Sequence, residues 1–466
     1  MNLPNMLEAK KRNKDEVNHI YLDEQTSDMY KGKKYFLKTY GCQMNVHDSE
    51  EIAYILESVG MTMIDTIEGA DVVVLNTCAI RENAHGKLYG FLGRCKHEKE
   101  TNNHDLIICI CGCMPQEESV ANELIKNHPY VDIVFGTHNI NELTDMLLNK
   151  VDNQNIKVYS MQGEVFENVK YKRDSNIKAW VDIQYGCDKF CTYCIVPYTR
   201  GKQRSRYSTE IVKEVECLKE AGYKEVTLLG QNVNAYGKDI DDISFAELLA
   251  KVSDTGIERI RFVTSHPWDF DAAMIDIISE RDNIMPYIHL PLQSGSSRIL
   301  KLMGRRYTKE EYLTLYNNIK TAMPECAITT DIIVGFPGET EEDFNETLDV
   351  VNTCKYDSAF TFIYSPREGT PAAKMEQLDK KVCEERLHKL NELVNEYAKE
   401  ANDKYLDKVV PVLLEGRSEK NDSLMMGYTD TMKLVNVKGD LSNIGKIVNV
   451  HITDVKTWSM DGEIVE

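Results

Sequence analysis

The sequence predicts an α/β chain in three parts: an open parallel α/β sheet, a partial parallel (β/α)6 barrel and a small β-barrel. Three observations carry this. Short apolar runs alternate with helical segments through the first third, the pattern of a parallel sheet. After a polar interval, six more strand-like runs alternate with segments of helical composition, the pattern of a complete or partial barrel. Beyond a long amphipathic helix, short β-rich runs are separated by Gly, Asn and Asp. The length of 466 residues agrees, since it amounts to about three domains at roughly 150 residues each.

In the first part, residues 34–40 read as a strand that ends in Gly41-Cys42-Gln43-Met44-Asn45. A helix follows over 48–59, with Ile52, Ile55, Leu56 and Val59 on one face. The run Val72-Val73-Val74-Leu75 reads as a buried parallel strand and ends in Asn76-Thr77-Cys78. A third run, 106–110, ends in Cys111-Gly112-Cys113-Met114-Pro115-Gln116, and a fourth covers 131–136. Each of the first three units places a cysteine just past the carboxyl end of its strand, where open parallel sheets bind ligands. Cys42, Cys78 and a cysteine of the third unit therefore converge on one candidate site. Cys109, Cys111 and Cys113 share strand parity; Cys113 is preferred because Gly112 has broken the run before it. The remaining cysteines read as core or surface residues.

Residues 1–32 read as a polar, disordered tail without a secretory signal, and 151–172 as a linker between a first domain over 33–150 and a second over 173–403. Strand-like runs in the second domain cover 179–184, 225–229, 259–264, 287–290, 327–334 and 359–364. The loop after the first carries Cys187, Cys191 and Cys194 in a C-x3-C-x2-C pattern. Three thiolates on a 4Fe–4S cube leave one iron without a protein ligand, able to bind a small molecule. Polar residues at the other strand ends, Gln231, Asn232, Ser294 and Asp331, read as cofactor contacts, although the Ser294 hydroxyl could simply cap a helix. Thr340 and Asp343 form a capping-box pattern. Leu387, Leu390, Val394, Tyr397 and Ala401 mark the amphipathic helix that leads to the third domain, 404–466.

Thirteen cysteines in a chain with no secretory signal favour metal binding over disulfides. A net charge of −20 argues against a general nucleic-acid binder, leaving local patches as the route to one. Arg200, Lys202, Arg204 and Arg206 form such a patch, suited to RNA phosphate or a ligand carboxylate or else a solvated basic turn. No apolar run approaches the ~20 residues of a membrane span. The expected setting is the cytoplasm.

From residue 33 onward the sequence resembles the methylthiotransferase family of radical S-adenosylmethionine (SAM) enzymes. The residues that carry the resemblance are Tyr-Gly-Cys-Gln-Met-Asn at 40–45, Asn-Thr-Cys-Ala-Ile-Arg-Glu at 76–82 and Gly-Cys-Met-Pro-Gln at 112–116. Others are the stretch from Gly186 to Gly201, Pro-Leu-Gln-Ser-Gly-Ser at 291–296 and Ser-Pro-Arg-Glu-Gly-Thr at 365–370. Pro115 departs from the family pattern, where a small residue is expected.

The resemblance implies two 4Fe–4S clusters, an auxiliary one on Cys42, Cys78 and Cys113 and a SAM-binding one on Cys187, Cys191 and Cys194. It implies SAM consumed twice per turnover, once as the source of a 5′-deoxyadenosyl radical and once as methyl donor. The implied reaction is methylthiolation of carbon 2 of N(6)-dimethylallyladenosine next to the anticodon of tRNA. That position bears no acidic proton, so a radical rather than an acid–base pair is required. No side chain is expected to carry the chemistry itself. The last domain would be a TRAM domain that holds RNA. Implied partners are tRNA, a flavodoxin- or ferredoxin-like electron donor, and a sulfur donor or cluster-repair protein; the chain is expected to be a monomer. Two other readings stay open: a methylthiotransferase for threonylcarbamoyl-adenosine or a ribosomal-protein aspartate, and a non-catalytic iron–sulfur RNA-binding protein.

Overall fold

Continuous apolar runs bounded by glycine, asparagine and cysteine become the central strands of the first sheet. The structure, a computed structural model, describes residues 17–22, 26–79, 82–149, 155–157, 163–418 and 421–465. In chain order the strands begin β1 (His19–Tyr21), β2 (Lys34–Tyr40), β3 (Thr62–Met63), β4 (Val72–Thr77), β5 (Ile107–Gly112), β6 (Ile133–Phe135), β7 (Asn155–Lys157) and β8 (Val165–Glu167). The first sheet has the order β3-β2-β4-β5-β6-β7 and every pairing in it is parallel.

That order contains a topological switch. From β2 the chain moves outward to β3, then crosses back to β4 on the other side of β2. The helix after β2, Gln43–Ser58, packs Ile52 and Leu56 on one face of the sheet with Leu143 and Met146. The helix after β4, Glu82–Thr101, packs Leu88, Phe91 and Leu92 on the other face. The loops leaving β2 and β4 therefore part in opposite directions and open a crevice at their carboxyl ends, the place where such sheets bind ligands.

The next strands are β9 (Lys178–Asp182), β10 (Gln184–Tyr185), β11 (Arg204–Ser205), β12 (Glu225–Leu229), β13 (Arg259–Phe262), β14 (Tyr287–His289), β15 (Ala327–Val334) and β16 (Ser358–Ile363). β9-β12-β13 and β14-β15-β16 are two parallel three-stranded sheets. They join where Ile260 N–H donates to the Asn283 carbonyl and Met285 N–H to the Ile260 carbonyl, both at 2.8 Å. Six strands thus form a partial barrel with β9 and β16 as its edges. Val181, Leu228, Ile260, Ile288, Ile328 and Ile332 face the surrounding helices in one core.

The last strands are β17 (Val409–Ser418), β18 (Asn421–Thr429), β19 (Leu434–Lys438), β20 (Ile447–Val455) and β21 (Met460–Ile464), closed into a barrel in the order β17-β18-β19-β21-β20. The β-rich runs read in the sequence, such as 409–415, 434–437 and 446–452, fall on β17, β19 and β20. This barrel docks at the amino ends of the central strands. Lys178 pairs with Glu415 at 2.6 Å, Arg259 donates to the Tyr428 and Pro411 carbonyls, and Lys433 pairs with Asp357 at 3.0 Å. The cysteine loops lie at the opposite, carboxyl ends.

Two expectations are corrected. Residues 1–16 of the expected tail lie outside the described residues, but β1 is ordered and pairs in parallel with β8. The segment read as a linker is built into the fold: β7 extends the first sheet and β8 holds β1. Residues 151–154 and 158–162 of it are outside the described residues. All three strands are three residues long, too short to show an apolar period, and β1 and β8 are held by a buried cluster of charges. Glu167 is fully buried and takes Arg206 Nε at 2.9 Å and His19 Nδ1 at 3.2 Å. Among the described residues no helix is long and apolar enough to cross a membrane.

Candidate functional site

Cys42, Cys78 and Cys113 sit at the switch crevice. Cys42 precedes the first turn of the 43–58 helix, so its sulfur lies at the positive end of a 16-residue dipole. Cys78 leaves β4 fully buried. Gly112 has φ +97°, and a Cβ there would stand 2.3 Å from the Thr77 carbonyl oxygen. Only glycine can make that turn against β4, and the turn takes Cys113 off the face that Cys109 and Cys111 share. Those two lie in the apolar core with Ile52 and Leu56. Cys113 instead packs with Ala79, Ile195 and Tyr198.

Two asparagines lock these loops. Asn45 Nδ2 donates to Asn76 Oδ1 at 3.0 Å and to the Thr77 carbonyl at 3.2 Å. Asn76 Nδ2 returns bonds to the Asn45 carbonyl and Ser49 Oγ. A hydrogen bond with Cys78, outweighing burial and helped by the Arg200 charge, holds the Cys42 thiol down at about 6. Burial pushes Cys113 up to about 11 against the pull of Arg200. The thiolate is the ligand form, so Cys42 could ligate a metal as it stands, whereas Cys113 would have to lose its proton to solvent on ligating one.

The second set lies on the loop between β10 and β11, an antiparallel pair that forms its stem. Gly186 has φ +73°, and a Cβ there would stand 2.1 Å from the Lys202 carbonyl oxygen, so the loop closes tightly at its base. Cys187 N–H donates to the Gly201 carbonyl at 3.1 Å and Cys194 N–H to the Cys191 carbonyl at 3.0 Å. Thr192 ties the tip to the Leu302 and Met303 carbonyls. Cys191 is buried, while Cys187 and Cys194 are half-buried. Burial, reinforced by the neighbouring thiols, pushes Cys187 up to about 12 and raises Cys194 further.

Arg305 is buried behind this loop. Its NH1 donates to Cys191 Sγ at 3.5 Å and its Nε to Tyr307 Oη at 3.2 Å. Among the described residues no three His, Cys, Asp or Glu side chains are placed to hold a single metal ion. Each triplet of thiols has a buried guanidinium beside it, Arg200 at Cys113 and Arg305 at Cys191, and such a donor set could hold an anionic cluster.

The two sets meet across one interface. Ala79 and Cys113 from the first sheet pack on Ile195 and Tyr198 from the second loop, with Phe190 at the edge. Thr137 Oγ1 donates to the Thr199 carbonyl at 3.0 Å. Arg200, 5% exposed, reaches across to Cys113 Sγ at 3.2 Å from Nε and to Asp48 at 2.5 Å from NH2.

Of the expected cofactor contacts, Gln231 and Asn232 lie beside the second loop. Gln231 Oε1 accepts from Gly186 N–H, while its Nε2 has no partner among the described residues. Asn232 Nδ2 donates to Asp269 at 2.8 Å and leaves its Oδ1 unpaired, as is Gln184 Oε1 next to it. Gln231 Nε2, Asn232 Oδ1 and Gln184 Oε1 are thus three buried polar atoms near the carboxyl ends of the strands with no partner among the described residues. Asp331 lies inside the barrel and pairs with His289 Nε2 at 3.3 Å. Ser294 Oγ is fully buried, accepts from Ser296 N–H at 3.2 Å and meets Thr347 Oγ1 at 3.5 Å; it does not cap the helix that begins at Ser297.

The basic run is not a surface patch. Arg206, 2% exposed, is held by Glu167, by Glu214 at 2.8 Å and by the Asp182 carbonyl. Arg204 is buried and donates to the Arg200 and Lys202 carbonyls. Lys202 is half-buried at the closure over Gly186. Carboxylates far off in sequence, Asp48 and Glu167, neutralise Arg200 and Arg206, so local charge density misleads here. Asp48, Asp269, Lys189 and Arg305 complete the surroundings, with Lys189 pairing Asp269 at 2.6 Å. No local motif singles them out.

A partial parallel barrel bearing a C-x3-C-x2-C loop after its first strand, joined to a second thiol triplet, defines a radical SAM enzyme. The chain matches the Radical SAM superfamily over residues 181–351, Uncharacterized protein family UPF0004 over 34–136 and the TRAM domain over 403–465. It belongs to the tRNA-2-methylthio-N(6)-dimethylallyladenosine synthase family. Proteins of that name from Bacillus subtilis (strain 168) and Geobacillus thermodenitrificans (strain NG80-2) are each 52% identical to it. Both alignments cover 99% of this chain, and 92% and 90% of those proteins. The radical S-adenosylmethionine methyltransferase TsrM from Kitasatospora setae shares the fold at TM-score 0.54 and 13% identity, over 73% of this chain and 75% of that one.

Proposed function

We propose that this chain methylthiolates carbon 2 of N(6)-dimethylallyladenosine in tRNA. The observation that carries this is the single interface shared by two cysteine triplets, where Arg200, at the end of the Cys187–Cys194 loop, touches Cys113. Identity of 52% along 99% of the chain to synthases of that name supports the same substrate.

In this reading Cys187, Cys191 and Cys194 hold one 4Fe–4S cluster, and Cys42, Cys78 and Cys113 hold a second. With SAM, the bound clusters supply reductive radical generation, sulfur and methyl transfer. The protein's own part is binding and orientation. Gln231 Nε2 and Asn232 Oδ1 offer a donor and an acceptor to the amino-acid end of SAM. Arg305 balances negative charge behind Cys191. Ala79, Ile195, Tyr198 and Phe190 keep water out of the space between the two sets, which protects a reactive intermediate from side reactions. A purine stacked in a loop must be splayed out to enter such a site.

The working domain division is 33–150, 173–403 and 404–466, with 151–172 as a brace. The chain works in the cytoplasm as a monomer. A flavodoxin- or ferredoxin-like protein supplies electrons, and a separate donor or repair protein restores the sulfur. Nucleoside mass spectrometry of tRNA from a strain lacking this gene tests the reading. The methylthio group should vanish and N(6)-dimethylallyladenosine accumulate; an unchanged profile, with no second enzyme present, overturns it.

A further inference from the structure

Arg200 leaves the short helix that closes the Cys187–Cys194 loop, yet its guanidinium ends among groups of the other triplet. Its Nε donates to Cys113 Sγ at 3.2 Å, and NH1 and NH2 reach the Asp48 carboxylate at 3.4 and 2.5 Å. Asp48 projects from the helix that begins at Cys42. The backbone of Arg200 is fixed as well: its N–H donates to the Val196 carbonyl at 2.8 Å, and its carbonyl accepts from Arg204. A buried guanidinium is costly unless anions meet it. This one has one carboxylate and one sulfur, so its charge is divided between Asp48 and the auxiliary ligand set.

We infer that Arg200 and Asp48 form a charge lever that sets the reduction potential of the auxiliary cluster from the radical-generating side of the interface. The inference deepens the proposed function, because it rests on Cys42, Cys78 and Cys113 holding a cluster. Hydrogen bonds to cluster sulfurs and nearby charge are the levers a protein has over such potentials. A positive charge and an N–H···S bond stabilise the more anionic, reduced state. Asp48 opposes this by its own charge and by drawing the guanidinium toward itself. Arg200 is thus a positioning residue acting through Cys113. Because it is joined to the other loop, any shift of that loop changes its donation to Cys113.

The test uses the full-length chain reconstituted anaerobically, with the auxiliary signal isolated in a Cys187→Ala, Cys191→Ala, Cys194→Ala background. Midpoint potentials are read by EPR-monitored titration without tRNA. Arg200→Met should make the cluster harder to reduce, by about tenfold in the reduced-to-oxidised ratio at a given potential, or ~59 mV for one electron. Asp48→Asn should shift it the opposite way, and Arg200→Lys should recover part of the loss. A merely structural pair would lower iron loading in both variants without shifts of opposite sign. Unchanged midpoints, or shifts of the same sign, overturn the inference. Should Arg200→Met fail to load iron, Asp48→Asn decides alone: an upward shift supports the lever and no upward shift overturns it. Opposite shifts in a protein that never modifies tRNA would sink the substrate reading and leave the lever standing.

Discussion

Asn45 and Asn76 exchange hydrogen bonds across the switch crevice: Asn45 Nδ2 reaches Asn76 Oδ1 at 3.0 Å, and Asn76 Nδ2 returns to the Asn45 carbonyl at 2.8 Å. Both are fully buried, and together they hold the loops that carry Cys42 and Cys78. Asn45→Ala takes the donor from Asn76 Oδ1, and Asn76→Ala takes from Asn45 Nδ2 one of its two acceptors; each should cost about 1–3 kcal/mol. Urea unfolding should show that loss. The double variant should cost less than the sum, since the two act on one network.

Cys111 and Cys113 are two residues apart and face different surroundings. Cys113→Ala should abolish methylthiolation and leave 5′-deoxyadenosine formation largely intact. Cys111→Ala lies in the apolar core and should lower stability by about 1 kcal/mol with the auxiliary iron retained. Iron and sulfide analysis with SAM-cleavage assays separates the two, and the reverse pattern would move the ligand to Cys111.

Arg206 is spent on Glu167 and Glu214. Arg206→Ala strips the fully buried Glu167 of its guanidinium and leaves Glu214 to Arg173 alone, and should cost about 3–5 kcal/mol. Thermal unfolding checks this. A variant of normal stability with weakened tRNA binding would instead return Arg206 to a phosphate-binding role.

Asp343 caps the helix Glu341–Cys354 through Thr340 and also takes Ser296 and Arg298. Burial opposes its ionisation, but donation from Arg298, Ser296 and Thr340 outweighs this and holds the carboxyl well below the usual range. A depressed folded value means the stabilisation is fully present above the unfolded value, about 3.9, and is lost as pH falls through the folded value. Asp343→Ala should cost about 1–2 kcal/mol at neutral pH. Its stability should also fall less steeply than the parent's below about pH 4, as measured by denaturant unfolding across an acid series.

The strands and the cysteine loops were legible because their signals are local. Val72–Leu75 is apolar throughout, the cysteines stand at strand ends, and Gly112 marks the turn that separates Cys113 from Cys111. The Thr340 and Asp343 capping box was equally readable and forms as expected. What escaped is long-range. The partners of Arg200 and Arg206 lie on other elements, so a run of basic residues read as a patch becomes a set of buried ties. β1 and β8 pair across more than a hundred residues, and their three-residue lengths carry no period. Docking of the last barrel at the amino ends rests on Lys178, Arg259 and Lys433, whose partners no spacing reveals.

The central claim is that two thiol triplets share one interface to put a methylthio group on an adenosine. Anaerobic protein, loaded with iron and sulfide at both sets, is incubated with SAM, a reductant and tRNA carrying N(6)-dimethylallyladenosine, and the nucleosides are analysed by mass spectrometry. The account predicts 2-methylthio-N(6)-dimethylallyladenosine together with 5′-deoxyadenosine. Fully loaded protein that cleaves SAM and leaves the adenosine unmodified would contradict it.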